Sequence, residues 1–420
     1  MRNRQLHAAV AAFAEEAAWQ LAADAAEGAE VPFEVVEAGG GRRDVPLYCY
    51  RPLTGAFIEE RASLLGRLPS YLPAVHALAA CPGVDAYLAA CGEAQVPADP
   101  RRRAEEALRL LLARVFRDST DFALVPERLH AAYDELEALV LEGRALVEVV
   151  AAVHGLAIAS DEIALGDSLL LARADRCTDL PPEVCAPRAD GRPPVVVALR
   201  WEAAPGDEAP LRHAEVRLRR LLCGLRLYDA VPVALARTGW SRTGAGRWQP
   251  FALGESAPPV RGVLAVPPAQ EDELRAFLSL VGRRTPRHGE VAWALHRFEL
   301  ACSRSAPADA LTDVLLALRA LLDPEGANHG RLAARVAALC ALPDAQAQTI
   351  ERVVHAAELE RALVAGVGPG DEALQPLGDE LTAYLRAVLR DVLCGHLEAD
   401  LRAVADGLLA RADEQQGTIA

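Results

Sequence analysis

The apolar residues of this chain change their spacing twice, and the two changes divide its 420 residues into three parts. A helical period runs first, through Leu6, Val10, Phe13, Ala17 and Leu21, and predicts an amphipathic helix that ends near Gly28. The segment VPFEVVEA reads as a strand followed by a GGGRRD turn, and Phe57 to Cys91 reads as short helices broken at Pro69, Pro73 and Pro82. Two longer helices follow, one opening at Pro100 and one at VPERLHAAYDELEALVLEG, each with a proline in its first turn, where a missing N–H breaks no helical bond. Residues 1–145 are therefore expected to form a mainly helical N-terminal domain.

Over 146–285 the pattern turns to short runs rich in Val, Ile and Leu. ALVEVVAAVHGLAIAS, IALGDSLLLAR, PPVVVALRWEAA and VPVALAR all read as strands. The one clear helix is LRHAEVRLRRLLCGLRL, with Leu211, Leu218, Leu222 and Leu225 as a core stripe and Arg212, Arg219 and Arg220 directed elsewhere. GWSRTGAGRWQPF reads as a hairpin loop with aromatic flanks. From Glu290 the helical period returns in four or five segments, divided at Pro307, Pro324, Pro343 and the GVGPGD run. The last segment, ELTAYLRAVLRDVLCGHLEADLRAVADGLLARA, reads as one long helix. Short connections favour antiparallel neighbours, so 286–420 is expected to be a helical bundle. The fold class is α+β, mostly α, with a small strand-rich middle between two helical parts.

Composition removes several chemistries. All 44 basic residues are arginine, so a phosphate-loop lysine, a Schiff base and a lysine general base are excluded, and P-loop nucleotide hydrolases with them. The net charge of −15 repels polyanions at long range, and the part from Pro286 onward carries 20 acids against 12 arginines. Contact with RNA has to be local. Nine cysteines include no Cys-x-x-Cys pair and no Cys/His cluster at zinc spacing, so no metal and no cofactor is expected, and the thiols read as mostly buried in a reducing cytosol. Cys177 and Cys185 bracket a proline-rich loop, which leaves pairing or metal binding there as the alternative. His288-Gly-Glu290 has no second histidine within a helical turn and makes no zinc site. Glu15 and Glu16 interrupt the apolar N-terminal stretch, unlike a secretory signal, and no uncharged apolar run reaches about 18 residues. A cytoplasmic protein with no membrane partner is expected.

The order of the C-terminal segments resembles one family. ALHRFELACSRS, a short gap, LTDVLLALRALL, then LAARVAALCAL and a helix ending in an apolar pair plus glycine is similar to the Apea-like HEPN domains of bacteria, over about a quarter of the chain. The preceding RLLCGLRL helix, strand and Trp-bearing loop also look like the segment before such domains. The resemblance implies a bundle that dimerises through its helical faces, a metal-independent ribonuclease activity in the family, and a bacterial stress or antiviral defence setting. Family members carry Arg-Ser, two or three residues, then His-Gly on the helix after the Asp-bearing one, where Arg and His act on RNA. Here that stretch is LERALVAG: Glu360 stands at the Arg place, Ala365 at the His place, and Gly366 matches. Asp313 also matches, whereas Arg319 stands where the family tends to have Glu, which predicts a charge-exchanged pair between Arg319 and Glu360 on facing helices. RNA cleavage without metal needs a base for the 2′-OH proton and a cation for the phosphorane, and alanine supplies neither. The resemblance thus implies a catalytically degenerate protein, more a pseudoenzyme than an enzyme, that binds RNA or a protein partner.

Two other readings stand beside it. One is a metal-independent RNase using Arg390 and His396, whose spacing fits, although His396 continues the Leu385, Leu389 and Val392 face and reads as a core histidine. Arg283 and His288 also have an allowed spacing, but Pro286 lies between them and the segment reads as a loop. The other is a scaffold that pairs with a second copy or another protein through the bundle. GDSL at Gly166 to Leu169 spells a serine-hydrolase block, but a hairpin turn at Gly166 and Asp167 explains it more simply. GVGPGD follows a helix and reads as its C-cap and a linker. Arg212, Arg217, Arg219, Arg220 and Arg226 are either a solvated helix face or, with Trp201, Trp240 and Trp248 nearby, a ridge for RNA or a partner.

Overall fold

The computed structural model describes residues 3–419 apart from 39–46, 94, 167, 178, 186–191, 205–208, 245, 255–261, 326–328 and 399. The N-terminal part contains α1 (Arg4–Ala26), the hairpin β1 (Phe33–Ala38) and β2 (Leu47–Pro52), then α2 (Thr54–Glu60), α3 (Ala62–Leu65), α4 (Tyr71–Ala79), α5 (Val84–Ala90), α6 (Pro100–Val115) and α7 (Pro126–Glu137). Its core is built on Phe13, Phe57, Phe116, Phe122 and Tyr133, with the Phe57 and Phe122 rings stacked 5.0 Å apart. Asn3 caps α1 by accepting from the Leu6 N–H, and its own N–H donates to Glu137 at 2.9 Å, so α1 starts from the end of α7. Pro73 does not break a helix as its residue type implies. It is the third residue of α4, where an amide has no intrahelical partner to lose. The expected GGGRRD turn lies outside the described residues.

The middle part supplies β3 (Ala145–His154), β4 (Leu156–Ile158), β5 (Glu162–Gly166), β6 (Leu169–Arg173), α8 (Pro182–Cys185), β7 (Val195–Ala203), α9 (Ala209–Tyr228), β8 (Ala234–Leu235), β9 (Thr238–Thr243), β10 (Gln249–Ala252), β11 (Leu264–Val266) and α10 (Glu271–Arg284). The main sheet has the order β10-β9-β3-β7-β6-β5, with β8 also on β3, and every pairing in it is antiparallel. β3 and β7 are buried along most of their length, which explains why their apolar residues run on instead of alternating. One face packs on α9 and α10 through Ala214, Leu218, Leu221, Leu225 and Leu274. Helix α10 and the single turn α8 are additions in a region where the sequence pattern announces one helix; the α10 ends show why. Its end charges, Glu271, Asp272 and Glu273 first and Arg283 and Arg284 last, complement a helix dipole, but only Leu274 and Val281 are fully buried.

The C-terminal part is α11 (Glu290–Ser303), α12 (Pro307–Leu322), α13 (His329–Cys340), α14 (Gln346–Val364), α15 (Asp371–Cys394) and α16 (Leu401–Ile419). The segment expected to be one long helix is two. Gly395 adopts φ 81°, the left-handed conformation that ends a helix, and the His396 N–H turns back to the Asp391 carbonyl. Arg335 joins the last helix to the bundle by a two-pronged bond to Asp406, at 2.7 and 2.6 Å. The bundle core takes in Cys223 and Leu227 of α9 and Val281 of α10, so these two helices bury one face in the sheet and another in the bundle. The protein is α+β and mostly α. No helix among the described residues is long and apolar enough to cross a membrane.

Candidate functional site

The bundle residues marked by sequence fall into two knots. On α12, Asp313 is only 3% exposed and receives Arg297 of α11 and Arg304, both at 2.9 Å. The Arg297 guanidinium also lies 4.8 Å above the Trp293 ring. Six positions after Asp313, Arg319 reaches Glu360 of α14 with both prongs, Nη1 to Oε1 at 2.9 Å and Nη2 to Oε2. Glu360 is 7% exposed, so the facing pair expected from the exchanged charges is present and largely shielded from water. Ala365 and Gly366 stand apart from it, on the exposed end of α14, where Gly366 has φ 76°. A guanidinium held by both prongs to a carboxylate is not free to meet a phosphate.

Arg390 and His396 both lie at the surface around the end of α15. Because the helix ends at Gly395, the helical period no longer carries His396 onto the Leu385 face. The imidazole is 72% exposed, with Nδ1 at 3.4 Å from Asp391, and Arg390 is exposed on α15. His396 is therefore a surface residue beside a helix end, not a core histidine. Arg283, on the last turn of α10, and His288 are exposed as well. At the GDSL block, Gly166 and Ser168 have φ 89° and 61° and join β5 to β6, while Asp167 lies outside the described residues. Cys177 and Cys185 are free thiols. Of the eight described cysteines only Cys223 is fully buried, fewer than composition implies.

The arginines of α9 divide in a way the sequence does not announce. Arg212, Arg219 and Arg220 are exposed. Arg226, grouped with them by sequence, is buried: it donates to the Val233 carbonyl at 3.2 Å, the Glu299 carbonyl at 3.2 Å and Ser303 Oγ at 3.0 Å, tying α9 to α11. Trp201 and Trp240 pack in the sheet cores, and Trp248 donates to the Asp179 carbonyl under the Arg242 guanidinium. None of the three tryptophans extends the arginine ridge.

Around Arg226 lies a cluster that sequence reasoning missed: Cys223, Glu299, Cys302, His296 and Arg219. Burial pushes the Glu299 carboxyl above the usual carboxylate range, against the opposing pull of the Cys223 thiol, Arg226, His296 and Arg219. Burial likewise pushes the Cys223 and Cys302 thiols up, which keeps them protonated and weakly nucleophilic. The signal available in sequence was a charge inside an apolar run, Arg226 between Leu225 and Leu227 and Glu299 between Phe298 and Leu300. Among the described residues no group of three or more His, Cys, Asp or Glu is arranged to hold a metal ion. No family model, curated protein or solved structure matches this chain.

Proposed function

We propose that this chain acts by binding a partner macromolecule without transforming it, and that its C-terminal third is a degenerate relative of the Apea-like HEPN domains. One observation carries the reading: at the positions where the resembled family has its cleavage residues, Glu360 is tied in both directions to Arg319. The pair keeps two helices in register and removes a free cation and a free base together. Losing an electrostatic stabiliser costs about 2.7 to 4 kcal/mol of transition-state binding, and losing acid–base help costs a further factor of roughly 10² to 10⁴. The stress or defence setting follows from the resemblance alone.

The experiment is to incubate the purified protein with structured and unstructured RNA, without added metal, and to follow fragment formation. No cleavage above background is expected. Cleavage by the wild type that disappears in His396→Ala would replace this reading with an RNase that works through Arg390 and His396.

A further inference from the structure

Strand alternation puts Glu148 of β3 on the face of the main sheet opposite to Val149 and the core under α9 and α10. The strand register sets Arg200 of β7 beside it on one side and Arg242 of β9 on the other. Glu148 is buried, accepts from Arg200 Nε at 2.7 Å and takes both Nε and Nη2 of Arg242. The Arg242 guanidinium also lies 4.4 Å from the Trp248 ring, so a carboxylate and an indole fix it and leave Nη1 over. That Nη1 meets Asp179, which holds both prongs of Arg117 as well, Nη1 at 2.6 Å and Nη2. Arg117 follows the end of α6. Two arginines from separate parts of the chain thus close on one carboxylate, which arrives on the short strap 179–185 that runs into α8.

We propose that Arg117 and Arg242 form a binding site for a small phosphate monoester, which Asp179 fills in the ligand-free protein as a built-in anion. The site lies between the N-terminal part and the sheet and does not depend on the reading of the bundle given above.

Charge matching supports it first. Arg117, Arg200 and Arg242 face the two carboxylates of Glu148 and Asp179, which leaves one positive charge over. The next carboxylate, Asp118, is 3.9 Å from Arg117 and is shared with Arg51 at 3.5 Å. A phosphate dianion in the place of the Asp179 carboxylate matches the remaining charge. Three N–H groups converge on the two Asp179 oxygens, and a phosphate monoester offers them three. Burial works against a charge here, yet the bonds from Arg242 and Arg117 hold the Asp179 carboxyl below the usual carboxylate range, so the site favours an anion.

The second observation is in the backbone. Four described non-glycine residues have positive φ, and three of them belong to this network. Asp179 itself has φ 63°, Asp118 follows Arg117 with φ 58°, and Ser168 accepts the Arg200 N–H at 3.0 Å. The left-handed conformation is costly for these residues, and such positions gather where a ligand or a switch is held. Glu148 and Trp248 hold Arg242 from the sheet side, so the site keeps its shape when Asp179 leaves it. The Asp179 and Arg117 side chains are 26% and 29% exposed, which gives a small anion access from solvent.

The test is calorimetric titration of the full chain with inorganic phosphate and with glycerol 3-phosphate, against chloride at matched ionic strength. Circular dichroism of each variant shows whether it folds. Asp179→Asn removes the built-in anion at nearly constant size and is expected to bind phosphate at least about tenfold more tightly than the wild type, because the site no longer has to be vacated. Adding Arg117→Gln to that variant is expected to remove most of the gain. In the wild type, hydrogen exchange of the backbone amides of 180–185 is expected to speed up with phosphate and not with chloride. Equal phosphate affinity in the wild type and the folded Asp179→Asn variant overturns the proposal and leaves Asp179 as a structural tie. So does binding that survives the loss of Arg117. Binding of phosphate without glycerol 3-phosphate overturns the monoester as the ligand class. If Asp179→Asn does not fold, exchange in the wild type decides alone, and a strap that phosphate leaves unchanged overturns the proposal.

Discussion

Several arginines inside the bundle are matched by acids, whereas on the first half of α9 the arginines outnumber the acids. Arg319 has Glu360, Arg297 and Arg304 have Asp313, and Arg335 has Asp406. Among Arg212, Arg219 and Arg220 the helix places one acid, Glu215, which meets Arg219 at 3.8 Å. Residue type is the same in both places, so type does not decide the role. The decision lies in geometry: a carboxylate placed within bonding reach on a facing helix turns an arginine into a strut, and without one the arginine stays exposed. Arg226 shows a third use, a charged group buried against carbonyls where an acid was not needed.

The sharpest way to break this comparison is to remove the acid from the most enclosed pair. Glu360→Ala leaves Arg319 with no partner in a site where the pair is mostly shielded, and the expected cost is about 3 to 5 kcal/mol. Urea denaturation followed by helical circular dichroism measures it. A loss within about 1 kcal/mol would mean that water screens the pair as it does at a surface, and the contrast with α9 would collapse. Replacing both partners, Arg319→Leu with Glu360→Leu, sharpens the point: the double variant should recover most of the loss, because a buried pair is costly to break and cheap to exchange for packing.

Arg226→Met is expected to cost less, about 1 to 3 kcal/mol. It strands the Val233 carbonyl and takes a second donor from the Glu299 carbonyl and from Ser303 Oγ, which keep their own bond at 2.9 Å, a buried acceptor left unpaired costing about 1 to 3 kcal/mol, while the methionine keeps much of the side-chain packing. Since the lost bonds connect α9 to α11, cooperative unfolding of the sheet and the bundle should loosen. Two resolved transitions in calorimetry, where the wild type shows them merged, are the expected signature. An unchanged profile means that Leu227 and Cys223 hold the two parts together without the arginine.

How much of this was legible before the structure follows from which signals are local. The order of helices, then strands, then helices is legible because period is a local property: Leu6 to Leu21 reads as a helix, and the Val-rich runs of β3 and β7 read as strands. The Arg319–Glu360 contact was legible through a resemblance that set two distant positions side by side. Helix α10 was hidden because its apolar stripe is narrow, and the end of α15 because one glycine in a strong helical pattern is usually tolerated until its φ is known. The cluster around Glu299 was hidden for a different reason. Cys223 and Glu299 are 76 residues apart, and only the packing of α9 on the bundle brings them together. The ridge was visible as a list of arginines, but its separation into Arg226 inside and Arg212, Arg219 and Arg220 outside depended on that same packing.

The smallest expected effect concerns Glu299, which lies between α9 and α11. Its carboxyl is raised by burial, and the groups facing it from both helices, Cys223, Arg226, His296 and Arg219, do not bring it back to the ordinary range. Cys302 lies close enough to feel its charge. The sign follows from linkage: a carboxyl whose folded-state pKa lies above its unfolded value helps the fold fully below the unfolded value, and that help is lost as pH rises through the folded one. At neutral pH the folded protein therefore bears the cost of a charge it would prefer to lack. Glu299→Gln removes that charge while keeping a polar group beside the Cys223 thiol. Thermal unfolding of wild type and variant across a pH series should show the two close together in acid and the variant the more stable at neutral pH, the gap opening through the region just above the usual carboxylate range. A gap of constant size at all pH values would show that Glu299 is as well matched as Glu360.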